Sequence, residues 1–257
     1  MYVEKFRFDG RKAVITGGGR GIGLSTAQAL AEAGAEVALT DIDPNLLVDA
    51  KRHMSSLGYD CRTAVLDVTD AVAVRKTAED LIAEMGHVDV LIANAGIAWP
   101  DTPSEDMTDE VWMKVIDVNL NGSFWPCREF GRHMLAGRGG SIVTVGSMSG
   151  LISNKPQRQS HYNASKAAVH HMTRSLAGEW AERGVRVNSV APTYVDTLMS
   201  QGGFSDETLF PVWMENTPMR RVAQPEEIAA SILFLASDAA SAVTGTVLSV
   251  DCGYTIW

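Results

Sequence analysis

The sequence predicts an α/β protein, a single doubly wound domain with a seven-stranded parallel sheet and helices on both faces. Short apolar, β-branched runs alternate with longer stretches of helical periodicity from end to end, which is the order of a parallel sheet with helical crossovers. A length of 257 residues suits one large domain that buries its core without disulfides or a structural metal. With 46% hydrophobic residues, 23 Gly, 9 Pro and neither repeat nor low-complexity linker, residues 1–257 read as one unit rather than a disordered or modular chain.

In chain order the strand runs are Lys12 to Thr16, Glu36 to Thr40, Cys61 to Leu66, Val88 to Ala93, Ser141 to Val145, Val185 to Val190 and Val247 to Val250. Between them Gly21 to Ala33, Pro44 to Leu57, Asp70 to Gly86, Asp109 to Leu135, Ser160 to Arg183 and Pro225 to Leu235 read as helices. Pro44 and Pro225 suit first-turn positions, where no N–H is needed, and Thr69 and Thr108 suit N-caps. Gly34, Gly58, Gly86 and Gly184 follow helix ends, where a left-handed residue closes the last turn. One stretch breaks the alternation. Thr193 to Pro218, with Gly202, Gly203 and Pro211 among aromatic and Met residues, reads as a substrate loop or lid.

The 31 acidic residues outnumber 22 basic ones, for a formal charge of −9. That balance repels phosphate backbones and anionic membrane surfaces, so neither nucleic acid nor a membrane is expected as a partner. No apolar run approaches the roughly 20 residues that cross a bilayer. The N-terminal stretch, with Glu4 and Asp9 ahead of its first apolar run, lacks the core of a secretory signal, and a cytoplasmic protein is expected. Cys61, Cys127 and Cys252 are odd in number and lack CxxC spacing, which reads as buried free thiols. His170 and His171 are neighbours, so on a helix they point about 100° apart and cannot share a metal.

The first strand runs into Thr16-Gly17-Gly18-Gly19-Arg20-Gly21-Ile22-Gly23 and then a helix. A nucleotide diphosphate needs backbone N–H groups aimed from a helix N-terminus, and glycines let the chain turn tightly and approach it without a Cβ. The second strand ends at Thr40-Asp41. A carboxylate there accepts hydrogen bonds from both hydroxyls of an adenosine ribose and repels a 2′-phosphate, so NAD is expected over NADP. Arg20 pulls the other way, since an arginine in the glycine turn pairs with a 2′-phosphate. Asp67, at the end of the third strand, suits either the adenine amine or the cap of the next helix.

Tyr162-Asn163-Ala164-Ser165-Lys166 opens a helix, and Ser147 closes the strand before it. Tyr162 and Lys166 stand at i and i+4 and share one face. A phenol with a pKa of about 10 is too weak a base near neutrality, but a nearby ammonium and a positive nicotinamide ring both favour phenolate. The Ser147 hydroxyl can orient a substrate oxygen and share its developing charge.

With TGGGRGIG at Thr16 to Gly23, ANAG at Ala93 to Gly96, Asn119, Ser147 and the Tyr162/Lys166 pair in this order, the chain resembles the short-chain dehydrogenase/reductase family over nearly its whole length. The resemblance implies a Rossmann-type fold with Tyr162 as acid–base, Lys166 binding the nicotinamide ribose and lowering the tyrosine pKa, and Ser147 positioning substrate. Asn119, by interrupting its helix, would hold a water in a proton relay. Cofactor contacts are implied for Gly17, Arg20, Gly21, Ile22, Gly23, Asp41, Asp67, Val68, Gly96 and Pro192. Asn94 would support the central strands beside the cofactor, and Val195 and Thr197 would meet the nicotinamide carboxamide.

Three positions depart from the family pattern. Pro192-Thr193 stands where Pro-Gly is usual, so a β-branched residue must suit a conformation that glycine eases. ANAG replaces NNAG at Ala93, and Cys252-Gly253 replaces a glycine pair. None removes a catalytic group, so activity is expected.

Within the family, the run from Gly146 to Gly150, Asn154, the stretch from Ser160 to Asn188 and the ending from Val250 to Trp257 look most like sugar-alcohol dehydrogenases of the galactitol type. That implies NAD-dependent oxidation of a polyol or other secondary alcohol to a ketone, or the reverse. Ser149, Ser153, Asn154, Gln157, Gln159 and Ser160 make the segment before Tyr162 rich in neutral hydrogen-bonding groups. Ser149, Asn154 and Gln159 are its substrate candidates, with Ser147 and Tyr162, although an ordinary polar loop has the same composition. Phe204, Leu209, Phe210, Trp213 and Met214 read as a movable apolar cover or as a packed helix. The alternatives are a 3-oxoacyl carrier-protein reductase, using Arg138 and Arg183 to meet an acidic partner, and a dinucleotide sensor without turnover. The resemblance also implies a homotetramer, pairing the Asp109 to Leu135 and Ser160 to Arg183 helices across one boundary and the C-terminal region across another. It raises a magnesium ion at the Trp257 carboxylate, for which the sequence offers no further ligand set.

Overall fold

The seven apolar runs pair in parallel into one sheet in the computed structural model, which describes every residue from Met1 to Trp257. The strands are β1 (Lys12–Thr16), β2 (Glu36–Asp41), β3 (Cys61–Val65), β4 (Val90–Ala93), β5 (Gly140–Val145), β6 (Val185–Pro192) and β7 (Val247–Val250). The helices are α1 (Gly21–Glu32), α2 (Pro44–Ser56), α3 (Ala71–Met85), α4 (Asp109–Ile116), α5 (Gly122–Ala136), α6 (Ser160–Trp180), α7 (Leu198–Phe204), α8 (Leu209–Asn216) and α9 (Pro225–Ala236).

Side chains alternate in direction along each strand and so feed two cores. Ala13, Ile15, Leu39, Ile92 and Val143 pack with Leu30 of α1, Met54 of α2 and Ile228 and Ile232 of α9. Their neighbours Val14, Ala38, Leu91 and Ile142 pack on the other face with Leu81, Phe130, Met134 and Leu176 of α3, α5 and α6. Covering both faces is what makes these strands unbroken apolar runs in sequence. The order across the sheet is β3-β2-β1-β4-β5-β6-β7, so it reverses between β1 and β4. At such a reversal the crossovers leave in opposite directions, and the strand carboxyl ends open a crevice.

The single helix expected over Asp109 to Leu135 is two, α4 and α5, joined by a π turn at Asp117–Asn121. There the Ser123 hydroxyl donates to the Asn119 carbonyl at 2.7 Å, and Pro126 has no N–H to offer the carbonyl of Gly122. The cap of α3 is Asp70 rather than Thr69, since Asp70 Oδ1 accepts from the N–H groups of Val72 and Ala73 at 2.9 and 3.0 Å. Asp67 Oδ1 instead accepts from the backbone and hydroxyl of Thr69, at 2.9 and 2.7 Å, so it does not cap α3. Residues 193–218 hold α7 and α8 rather than an open loop. β4 begins at Val90, two residues later than its apolar run, with Val88 buried all the same.

Thr108 caps α4, and Asp43 caps α2 ahead of Pro44. Thr193 adopts a backbone open to any residue, whereas Cys252 sits at φ 53°, in the left-handed region that a glycine takes without strain. All three cysteines are free; Cys61 and Cys127 are buried, and burial pushes the Cys127 thiol up to about 12, while Cys252 is partly exposed. No helix is long and apolar enough to cross a membrane.

Asp70→Ala is expected to cost about 1 kcal/mol in urea unfolding, and Thr69→Ala clearly less. Equal losses would return the cap to Thr69.

Candidate active site

The strand carboxyl ends around the β1/β4 reversal frame a cavity of about 960 Å³. Gly17 turns away from β1 at φ 62°, and a Cβ there would lie 2.9 Å from the Ala95 Cα. A Cβ on Gly23 would lie 2.3 Å from the Gly17 carbonyl oxygen, so α1 starts this close to the strand only without side chains. Asn94 Nδ2 donates to the carbonyls of Thr16 and Gly17 at 3.0 and 2.8 Å and ties the end of β4 to the end of β1. Asp41 is held in place, its Oδ2 accepting from the Gly19 N–H at 3.1 Å and its Oδ1 from the Asp43 N–H at 3.2 Å. Arg20, Gly21, Ile22, Asp67, Val68, Gly96, Pro192, Val195 and Thr197 share this wall, with Arg20 and Asp67 exposed. Gly23 sits behind it, inside α1.

One face of α6 is stitched to the end of β5. The Thr173 and Thr144 hydroxyls lie 2.8 Å apart, Lys166 Nζ donates to the Val145 carbonyl at 2.9 Å, and the Ser147 N–H donates to His170 Nε2 at 3.3 Å. These contacts bring Ser147, Tyr162 and Lys166 together at the cavity wall, with Nζ 5.7 Å from the centre of the Tyr162 ring. Ser147 Oγ also accepts from the Ser149 N–H at 3.1 Å.

Burial dominates the electrostatics. It pushes Lys166 down to about 8. It pushes Tyr162 up, and a hydrogen bond with Ser147 only partly offsets this, so the chain alone does not lower the phenol as the pairing with Lys166 suggests. His170 is pushed down to about 4 by burial, then by the charges of Lys166 and Arg174, with the Gly150 backbone beside the ring offsetting little. It is therefore a neutral acceptor for the Ser147 N–H.

Asn119 is wholly buried and off the cavity wall. Its Oδ1 accepts from the Ile97 N–H at 2.8 Å, and its Nδ2 donates to the Ile97 carbonyl and Ser165 Oγ, both at 3.0 Å. Ser149, Asn154 and Gln159 are on the wall, but Gln159 Nε2 is spent on Asn163 Oδ1 at 3.0 Å and Ser149 Oγ at 3.4 Å. Trp213 of α8 is buried and stacked on Tyr194, ring centres 3.7 Å apart and planes 8° from parallel, so α8 packs as a helix over the cavity. No group of three or more His, Cys, Asp or Glu side chains converges to hold a metal, and the exposed Trp257 terminus supplies no such set.

The sequence matches the family described as enoyl-(acyl carrier protein) reductase over residues 17–255. Galactitol 2-dehydrogenase of Rhizobium johnstonii is 49% identical over 258 residues, 100% of this chain and 99% of its own. Galactitol 2-dehydrogenase (L-tagatose-forming) of Cereibacter sphaeroides is 47% identical over 256 residues, again 100% and 99%. The crystal structure of gox2181 superposes with a TM-score of 0.98 at 48% identity and covers 100% of both chains. The chain belongs to the short-chain dehydrogenase/reductase family.

This dehydrogenase/reductase is an oxidoreductase of alcohol and carbonyl groups, and its fold takes a nicotinamide dinucleotide, NAD(P). Others among the matched proteins are described as NADP-dependent or were crystallised with NADP. The residues fit a dinucleotide. The glycine turn has no room for side chains, the Asp41 carboxylate is fixed beside it, and the buried Lys166 ammonium has the Val145 carbonyl as its one hydrogen-bond partner.

Sequence reasoning missed His170 and Tyr194 as parts of the site and read Trp213 only as apolar cover or packing. His170 had a signal, one helical turn beyond Lys166. The hydrogen bond of the Trp213 indole had none, because its partner Gln157 is 56 residues away in the chain.

Folded, His170 takes up a proton only near pH 4; unfolded, it does so near 6.5. Between those values the unfolded chain binds the extra proton, so this contribution to stability is full above about pH 6.5 and is lost as pH falls toward about 4. His133 and His161, also lowered chiefly by burial, act in the same direction. His170→Gln keeps an acceptor for Ser147 and removes this share. Its urea midpoint should fall less than the parent's between about pH 7 and about pH 5; parallel falls would exclude a depressed His170.

Proposed function

We propose that this enzyme is an NAD-dependent polyol dehydrogenase that oxidises a secondary carbinol of a sugar alcohol to a ketone, or runs the reverse, with Tyr162 as acid–base. The observation that carries the reading is the meeting of Ser147, Tyr162 and Lys166 beside the glycine turn, in a cavity whose far wall is lined by neutral amides and hydroxyls. Similarity to galactitol 2-dehydrogenases along the whole chain supports the substrate class.

A bound oxidised nicotinamide would supply the acceptor for the hydride from the carbinol carbon and a positive charge that favours phenolate. Ser147 donates a hydrogen bond to the substrate oxygen and holds it against the Tyr162 hydroxyl. Tyr162 takes the hydroxyl proton in oxidation and returns it to the forming alcohol in reduction. Its raised pKa in the chain alone keeps it protonated until positive charge arrives. Lys166, lowered by burial to about 8, would hold its charge more firmly with ribose hydroxyls in place of its lost water, and that charge favours the phenolate. Asn119, its side chain committed to Ile97 and Ser165, acts through its π turn to seat the proton relay behind Lys166.

Gly17, Gly21 and Ile22 would seat the diphosphate, with Gly23 behind them letting α1 start close to β1; Asp67 and Val68 would meet the adenine, and Gly96, Pro192, Val195 and Thr197 the nicotinamide end, with Asn94 holding the glycine turn in place. The fixed Asp41 carboxylate pairs with a ribose diol and repels a 2′-phosphate, which favours NAD despite Arg20 nearby. Residues 193–218, with α8 packed over the cavity, cover the substrate side. Arg138 pairs with Asp89 at the amino ends of β4 and β5, on the side of the sheet away from the cavity, so it does not supply a carrier-protein substrate with a cation there. Exposed Trp112, Met113, Ile256 and Trp257 support a homotetramer, for which sedimentation velocity should give the mass of four chains.

Initial rates across polyols, simple secondary alcohols and 3-oxoacyl thioesters, each with NAD(H) and NADP(H), test the reading. Preference for NADPH with thioesters would overturn it. Tyr162→Phe should lower turnover by roughly 10³-fold or more while NAD binding stays measurable by calorimetry. Asp41→Ala should narrow the preference for NAD over NADP by about tenfold.

A further inference from the structure

We propose that the indole N–H of Trp213 sets the direction of a hydrogen-bond chain that presents Gln157 and Asn154 as a matched donor and acceptor for a substrate hydroxyl next to the reacting carbinol. The proposal rests on the polyol reading and names the residues that recognise that substrate.

An indole nitrogen donates and never accepts. Trp213 Nε1 lies 2.9 Å from the Gln157 side-chain amide, so the amide atom facing it is Oε1. The Tyr194 hydroxyl lies 2.9 Å from the same oxygen, which carries no proton, so Tyr194 donates as well. Having given away its one proton, Tyr194 meets Asn154 as an acceptor, and Asn154 turns Nδ2 toward it at 3.4 Å. One donor-only group thus settles both amides.

Two groups are left over. Gln157 keeps its Nε2 N–H groups free at the cavity wall. Asn154, only 6% exposed, keeps an Oδ1 that is buried without a partner. A hydroxyl can give its proton to Asn154 Oδ1 and accept from Gln157 Nε2, whereas a methylene in the same place leaves both unpaired. Gln159, the other glutamine of this segment, is already bonded to Asn163 and Ser149, so Gln157 rather than Gln159 supplies the donor.

The indole is well placed to fix this direction. Tyr194 stacks on one face of it, and on the α7 side a Cβ on Gly203 would lie 2.0 Å from its Cη2. Tyr254 packs edge-on against Tyr194 at 5.7 Å, which holds the tyrosine in the stack. The aromatic cover therefore sets the polarity of the amides beneath it as well as keeping water out.

Trp213→Phe keeps a ring on Tyr194 and removes the N–H; Gln157→Met keeps the length of the side chain and removes both amide atoms. For each variant and the parent, kcat/KM is measured for a polyol and for a monohydroxy secondary alcohol, or the competitive Ki of the latter where turnover is slow, with folding checked by circular dichroism. The ratio of polyol to monohydroxy alcohol should fall about tenfold in both variants. An unchanged ratio in folded variants, including equal losses on both substrates, would overturn the proposal. Absence of polyol turnover in the parent would instead overturn the function it rests on.

Discussion

The site is organised around a single buried ammonium. Lys166 reaches back from α6 to the last carbonyl of β5 and finds no carboxylate there. Removing it from water with so little compensation depresses its pKa and leaves the ammonium short of hydrogen-bond acceptors. The neighbouring groups adjust to that charge. His170, one turn along, stays neutral beside it, and only a neutral ring can accept from the Ser147 backbone. Tyr162, one turn before, keeps its proton because burial outweighs its hydrogen bond with Ser147. The resting arrangement is thus electrostatically unfinished, with an ammonium that has one acceptor and a phenol that keeps its proton.

Packing permits this arrangement through two glycines. A Cβ on Gly146 would lie 2.0 Å from His170 Nε2, and one on Gly150 would lie 2.7 Å from the Lys166 carbonyl carbon. The bend carrying Ser147 can therefore lie flat on α6 only where its flanking residues have no side chains. The run from Gly146 to Gly150 serves a steric purpose first, and through it fixes where the serine hydroxyl sits.

Most of the architecture is legible because its signals are local. Buried strands read as apolar runs, and prolines and glycines mark helix ends. The strand carboxyl ends carry Gly17, Asp41, Asn94 and Ser147 within a few residues of each apolar run, which placed them on one cavity from sequence. Legibility failed where the choice among neighbouring side chains within one turn, or a group far away in sequence, decides the outcome. The break in the fourth predicted helix depends on how Ser123 and Pro126 serve backbone carbonyls, and the cap of α3 depends on which of Asp67, Thr69 and Asp70 turns toward the helix. The amides over the substrate side are oriented by an indole from another helix, and periodicity carries no trace of that. The pKa of Tyr162 went the other way because spacing reveals its charged neighbour but not the depth of its burial.

The tie from Asn94 to the carbonyls of Thr16 and Gly17 also bears on how the molecule is made. β1 pairs with β4, Ala13 opposite Val90, across more than seventy intervening residues that include β2 and β3. Closing that loop is among the slower steps open to such a chain. Until it closes, the glycine turn lacks the amide that pins it, and the two halves of the crevice do not exist together. Dinucleotide affinity is thus acquired late, with the central sheet, and a newly made chain gains mass-action stabilisation from its cofactor only after its hardest contact is formed.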